Sequence, residues 1–239
     1  SFGANVFEGC KRLTTINLPA TISHFEGGVF AGCDAIGEII VDEGNENFVT
    51  HEGALYTKDY EEILFYPRAL SGDLTKLHPE LREIGANVFQ GNPKVTAANF
   101  NKNIVSIGAS AFENCYNLET VTFEEGGTTM TIGNSAFAKC TKLAAIELPS
   151  YTTAIGASAF ESDSALTAFL IPEGLKVLGD KALRGTRITE INIPANVMNI
   201  GDGVFANCTS LTAVTFEEGD KPLNLGTIHN TSSSNGVFY

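Results

Sequence analysis

Five cysteines, four histidines and three acidic runs are the groups in this chain that could hold a metal, cross-link or move a proton. A zinc site needs thiolates or imidazoles at short paired spacings. Cys10, Cys33, Cys115, Cys140 and Cys208 include no C-x-x-C pair. His24, His51, His78 and His229 are dispersed, and none sits in an H-E-x-x-H segment. Acidic runs at 42–46, 124–125 and 217–220 offer carboxylates for calcium, but without the ligand spacing of an EF-hand loop. No G-x-S-x-G elbow occurs, and no phosphate-cradling glycine loop. Nothing converges as a nucleophile with its base, a carboxylate pair or an open metal position. The expectation is a chain with no catalytic residue, no metal and no cofactor.

What the cysteines do share is a place in a repeat. Each falls three residues after a phenylalanine, in IGASAFENCYNLETVTF from Ile107 and its counterparts. Copies begin at Phe2, Phe25, Ile84, Ile132, Ile155, Leu178 and Ile200. The steps from Phe2 to Phe25, Ile84 to Ile107, Ile132 to Ile155 and Ile155 to Leu178 are each 23 residues. Other members of the cysteine column are Asn92, Asp163 and Thr186, so the column asks for a small side chain able to satisfy a turn. The thiols therefore read as free and largely buried. A fixed period signals stacked supersecondary units.

Stacking dictates what each part of the repeat must do. The L-x-x-I-x-L segment alternates, as in Leu13, Ile16 and Leu18, and reads as a short strand with one buried face. Pro19, Pro149, Pro172 and Pro194 end it, having no N–H for the ladder. The A-F-x-x-C half reads as a short helical or 3₁₀ turn on the opposite wall. The glycine of the I-G step reads as a residue chosen for backbone freedom. Phe7, Phe30, Phe89, Phe112, Phe137, Phe160, Phe205 and Phe238 form one column, with Leu183 substituting once, and belong to the core.

The fold expected is an α/β repeat solenoid, rich in β-structure. A parallel ladder of short strands would form one wall and helical or 3₁₀ turns the other. Residues 1–239 are expected to form a single array of eight recognisable repeats with two irregularities. A longer coil at 42–83 contains FVTHEGALYTKDYEEILFYP, with Phe48–His51 extended and a β-hairpin across residues 58–62. Leu74, Leu77 and Pro79 should resume the strand column. A degenerate ninth repeat spans 225–239, with a Ser-rich loop.

Net charge is −13, which disfavours phosphate backbones and anionic lipid, so neither nucleic acid nor membrane insertion is expected. No run of about 18 apolar residues is present to span a bilayer. Ser1 opens in mid-repeat, so the chain reads as a mature fragment or a trimmed piece.

The recurring I-G-x-x-A-F-x-x-C-x-x-L-x-x-I-x-[LI]-P resembles the BspA-type leucine-rich repeats of bacterial surface proteins, from Phe2 to Leu225. EGALYTKDYEEILFYP is similar to the hairpin insertion of that family. Glu26 in place of the glycine, and Asn92 and Asp163 in place of cysteine, depart from the pattern. The resemblance implies a secreted or surface-anchored protein, including anchoring by a lipid outside this chain. It also implies adhesion to a host extracellular protein or glycan, and the chain is expected to act as a monomer.

Two surfaces are candidates for that contact. Residues flanking the buried aliphatic of each strand should face outward: Thr15 and Asn17, Glu38 and Ile40, Asn99, Thr120 and Thr122. Further along come Glu147, Leu170, Glu190 and Asn192. This stripe lacks the aromatic and Arg anchors of tight interfaces, which suits a weak or extended contact. The hairpin gathers Tyr56, Tyr60 and Tyr66 and is the second candidate. Leu55, Phe65 and Tyr56 could instead simply cover the neighbouring coils. A spacer that presents other domains, with no ligand of its own, is the other function the sequence allows.

Overall fold

The computed structural model describes residues 1–219 and 222–225. Most of the degenerate ninth repeat, including its Ser-rich loop and Phe238, lies outside the described residues. In chain order the strands begin with β1 (Thr15–Leu18), β2 (Glu38–Val41), β3 (Phe48–His51), β4 (Ala54–Thr57) and β5 (Glu62–Phe65). They continue as β6 (Glu83–Ile84), β7 (Ala97–Phe100), β8 (Ser106–Ile107), β9 (Thr120–Phe123), β10 (Met130–Ile132) and β11 (Ala145–Ile146). The remainder are β12 (Thr152–Ile155), β13 (Val177–Leu178), β14 (Glu190–Ile193), β15 (Asn199–Ile200), β16 (Ala213–Phe216) and β17 (Asn224–Leu225).

The parallel-strand solenoid expected from the repeats is what forms, but its longest ladder lies at the I-G step. There Ile84, Ile107, Ile132, Ile155, Leu178, Ile200 and Leu225 pair in register from coil to coil. These strands run parallel, and with β5, β4 and β3 they make a ten-stranded sheet. The L-x-x-I-x-L strands instead form three short sheets, β1–β2, β7–β9–β11 and β14–β16. Their buried centres still stack, Ile16 on Ile39 and Ala98 on Val121. The breaks fall at the long coil and near Leu170, where residues 167–171 form no strand.

The A-F-x-x-C wall is built of turns, not helices. Among the described residues the one 3₁₀ segment is Leu74–Lys76, in the long coil. The reason is visible in the backbone. In the 107–115 coil, Ser110 and Asn114 have φ of 53° and 60°, and they bracket Ala111 and Phe112. Asn87 and Gly91, Ser135 and Lys139, and Ser158 and Ser162 repeat the arrangement. Two left-handed residues per coil leave too few consecutive right-handed ones for a helix. The wall's amides bond to the next coil instead, Phe112 N to Ala136 O at 2.7 Å and Phe137 N to Ala159 O at 2.8 Å.

The glycine of the I-G step also has a different reason from the one expected. Among the described residues, none of these glycines has a positive φ. A Cβ added to Gly133 would lie 2.7 Å from Ala109 N, and one on Gly156 would lie 2.6 Å from Asn134 N. Close approach of one coil's backbone to the next is what excludes a side chain.

The aromatic column is the core. Phe89, Phe112, Phe137 and Phe160 stack with ring centroids 4.8, 5.2 and 5.4 Å apart, all fully buried. Burying each contributes roughly 1.5–3 kcal/mol. The cysteine column ties the stack through its main chain. The thiols of Cys33, Cys115, Cys140 and Cys208 donate to the carbonyls of Phe7, Phe89, Phe112 and Leu183, 2.9–3.2 Å away in the preceding aromatic turn. All four are buried and unbridged, while Cys10, in the first coil, is exposed. Burial raises the Cys115 thiol to about 12 and pushes Cys140 up as well, so neither is a nucleophile at neutral pH.

The long coil replaces the missing A-F turn with aromatics from its antiparallel strands. Phe65 meets Phe30 at 5.2 Å and Tyr66 meets Phe89 at 5.0 Å. Alternation along β4 sends Leu55 to the N-terminal core and Tyr56 to the larger one. A bulge in the β4–β5 pairing sets Phe65 beside Leu55 and Ile63 beside Tyr56, with Tyr66 also in the larger core. The hairpin is therefore spliced into the stack. It does not project: β5 pairs parallel with β6, Ile63 beside Ile84.

Candidate functional site

The outward stripe is where alternation predicts it. Asn17, Glu38, Asn99, Thr120, Thr122, Glu147, Glu190 and Asn192 are exposed, and Thr15 is half-buried. Two aliphatics interrupt the polar surface, Ile40 at 47% exposure and Leu170 at 73%. Leu170 lies where the strand sheets break, with no ladder to align it. Register places Thr15 beside Glu38, Asn17 beside Ile40, Ala97 beside Thr120 and Asn99 beside Thr122. Thr122 Oγ1 donates to Asn99 Oδ1 at 2.6 Å, and Asn192 Nδ2 to Glu217 Oε1 at 2.6 Å.

Two of the three hairpin tyrosines are corrected by the structure. Tyr56 is 1% exposed and Tyr66 is 6% exposed, because each fills the core of a coil that has no A-F turn. Burial raises the Tyr56 phenol to about 12, opposed by its hydrogen bond from the His78 amide at 3.4 Å. Neither ring is available to a partner. Tyr60 is half-buried, stacked on the His78 imidazole with centroids 4.0 Å apart.

A feature that the repeat pattern does not announce lies beside β7. Leu74, Leu77 and Pro79 do not resume a strand as the column predicts; Asp73 caps a 3₁₀ turn there by accepting from Thr75 N. Helical bonding takes Leu74–Lys76 out of the ladder, so β7 is the edge of its sheet. The segment borders a groove of about 440 Å³. Leu74, Leu77, Leu81, Phe100, Ile104 and Phe123 supply its apolar lining, and His78, Asn99, Asn101, Thr122 and Glu124 its polar groups. The groove thus continues the predicted stripe at Asn99 and Thr122. The signal in the sequence is Asp73-x-Thr75, a capping pattern at a position where the repeat column asks for a strand.

The acidic runs serve turns. Asp42 Oδ1 accepts from Gly44 N at 2.8 Å, and Glu125 accepts from Ser150 N and Oγ. Among the described residues no three His, Cys, Asp or Glu side chains group to hold a metal ion. No helix of the described residues is long and apolar enough to cross a membrane.

A model of the BspA type leucine rich repeat region matches the chain in six copies, over residues 1–65 and 77–233. Among solved structures, a leucine rich cell surface protein from Faecalibacterium prausnitzii A2-165 is 25% identical, with a TM-score of 0.60. The match covers 90% of this chain and 50% of that one. The pneumococcal vaccine antigen PcpA is 21% identical with a TM-score of 0.58, over 87% of this chain and 46% of that one. The leucine rich repeat protein TpLRR of T. pallidum is 24% identical with a TM-score of 0.57, covering 72% and 81%. The chain thus spans about half the length of the first two. No curated protein sequence matches it.

Proposed function

This chain belongs to the BspA-type leucine-rich repeat family, and on that footing we propose that it is a non-enzymatic binding module of a bacterial surface protein. Its partner in this reading is a host extracellular protein or glycan, held on the outward strand face and in the groove at Leu74–Lys76. One observation carries the reading: the exposed positions beside the buried strand centres form a mostly small and uncharged surface in three runs, while most described motif positions are consumed by core or turn. Such a surface suits broad, low-affinity contact more than a tight pocket. The cell-surface description of the Faecalibacterium protein supports the placement.

The test is attachment of the folded chain to host matrix proteins and glycans, with Thr120, Thr122, Glu147 and Leu170 replaced by bulky or oppositely charged residues. Loss of attachment with an unchanged melting temperature supports the reading. Unchanged attachment removes the strand face as the site. Absence of any attachment favours a spacer that presents neighbouring domains.

A further inference from the structure

We propose that His78, held between His51 and Tyr60, is an acid-released latch that fixes one wall of the groove beside β7. The proposal rests on the binding reading only for its consequence; the latch itself is a property of the isolated chain.

Where Pro19, Pro149, Pro172 and Pro194 follow other L-x-x-I-x-L segments, three coils carry a side-chain acceptor that fixes the turn. His78 stands 23 residues before Asn101 and does the same work. Asn101 Oδ1 accepts from Asn103 N at 2.9 Å, and Ile104 N bonds to Asn101 O. In the long coil, His78 Nδ1 accepts from Glu80 N at 3.2 Å, and Leu81 N bonds to His78 O. Asp42 holds a related turn by accepting from Gly44 N. A side chain accepting from the amide two residues on is a general way to fix a turn. Of these three acceptors, the imidazole is the one that loses its lone pair to a proton near neutral pH.

Its surroundings make that proton consequential. The His51 ring lies 4.9 Å from His78 in an edge-to-face contact and 6.2 Å from Tyr60. Tyr60 stacks on the His78 imidazole at 4.0 Å, and the Tyr56 hydroxyl accepts the His78 amide hydrogen. Three separate pieces of the long coil, β3, the β4–β5 turn and the 77–81 turn, meet at this cluster. The ionisable groups facing His78 are His51, Tyr56, Tyr60 and Glu80; Glu52, Asp73 and Lys76 line the adjacent cavity with His51. Burial, then the His51 imidazole, hold His78 below the ordinary histidine value, against the Glu80 carboxylate. In the folded chain the neutral, accepting form is favoured.

Protonation at Nδ1 removes the acceptor for Glu80 N and sets an imidazolium beside a second titratable ring. His78, Pro79 and Leu81 line the groove, so release of this turn loosens its wall. The sign follows from the depressed value. Above about pH 6.5, the ordinary histidine value, the latch is fully engaged. It is lost as pH falls through the folded-state value below that point.

The test is NMR on the intact chain without any partner, following the His78 ring protons and the exchange of the Glu80 amide, corrected for intrinsic pH dependence. Glu80 protection should fall by about fivefold or more as His78 titrates, the loss expected for one hydrogen bond. His78→Asn restores a non-titrating acceptor and should abolish that fall. His51→Gln should raise the His78 midpoint, an effect a merely structural histidine would not show. Glu80 protection that stays flat across the His78 titration overturns the latch, as does an unchanged pH response in His78→Asn. Neither result bears on whether the strand face binds a partner.

Discussion

Asp163 is the one acid in the cysteine column, and replacing it should make the protein more stable. The side chain is fully buried. Oδ1 accepts from Cys140 N at 2.8 Å, while Oδ2 has no partner among the described residues. Burial raises its carboxyl well above the ordinary carboxylate value, with the amides of Cys140 and Lys139 opposing. Four thiols in this column each donate to a carbonyl one coil back. Asp163→Cys should restore that donor opposite Phe137 O and remove the unsatisfied oxygen. An unmet buried polar group costs about 1–3 kcal/mol. At roughly 2–4 °C per kcal/mol for a chain of this size, the variant should melt several degrees higher at pH 7.5. Because the folded-state value is raised, the native protein binds the extra proton. Its stability therefore falls as pH rises from the unfolded value near 4 and levels off above the folded one. The advantage of the variant should shrink toward that of the uncharged comparison as pH approaches about 4. Paired thermal melts between pH 4 and pH 8 measure both. A variant that melts at or below the parent at pH 7.5, or a gain that does not change with pH, would refute the reasoning.

Truncating the middle of the aromatic column should be costly: Phe137→Ala is expected to lose about 3–5 kcal/mol, read from urea unfolding. An equally stable variant would mean the rings at 5.2 and 5.4 Å are not packed as described. Gly133→Ala should cost about 1–3 kcal/mol, since its Cβ would meet Ala109 N at 2.7 Å. Gly3→Ala, where nothing lies within 4 Å, should be close to neutral. Equal effects of the two glycine changes would contradict the close-approach explanation.

Much of the fold is legible in the sequence because the repeat is its own alignment. The 23-residue step alone identifies Ile107, Phe112 and Cys115 as core and turn positions, since a stack must realign its buried columns. Alternation likewise places Thr120 and Thr122 on the outside. Legibility fails where bonding between coils decides the outcome. The I-G strands stay hidden because two to four residues carry no periodicity of their own. The turn wall reads as helical because A-F-x-x-C shows composition but not the left-handed residues at Ser110 and Asn114. Tyr56 and Tyr66 have the look of surface aromatics, but the coil without an A-F turn needs them as filling. Leu74 reads as a strand residue, yet the Asp73 cap makes it part of a 3₁₀ turn, and the groove follows from that substitution.

The proposed use of the strand face and its groove as the contact surface is tested most directly by footprinting. Hydroxyl-radical labelling of the chain with and without a bound matrix protein reads side-chain exposure along both walls. Protection should fall on Leu170, Phe123 and Leu77, with Tyr116 and Val6 on the turn wall labelled equally in both samples. Protection of Tyr116 and Val6, with Leu170 and Leu77 unchanged, would contradict the assignment of the strand face.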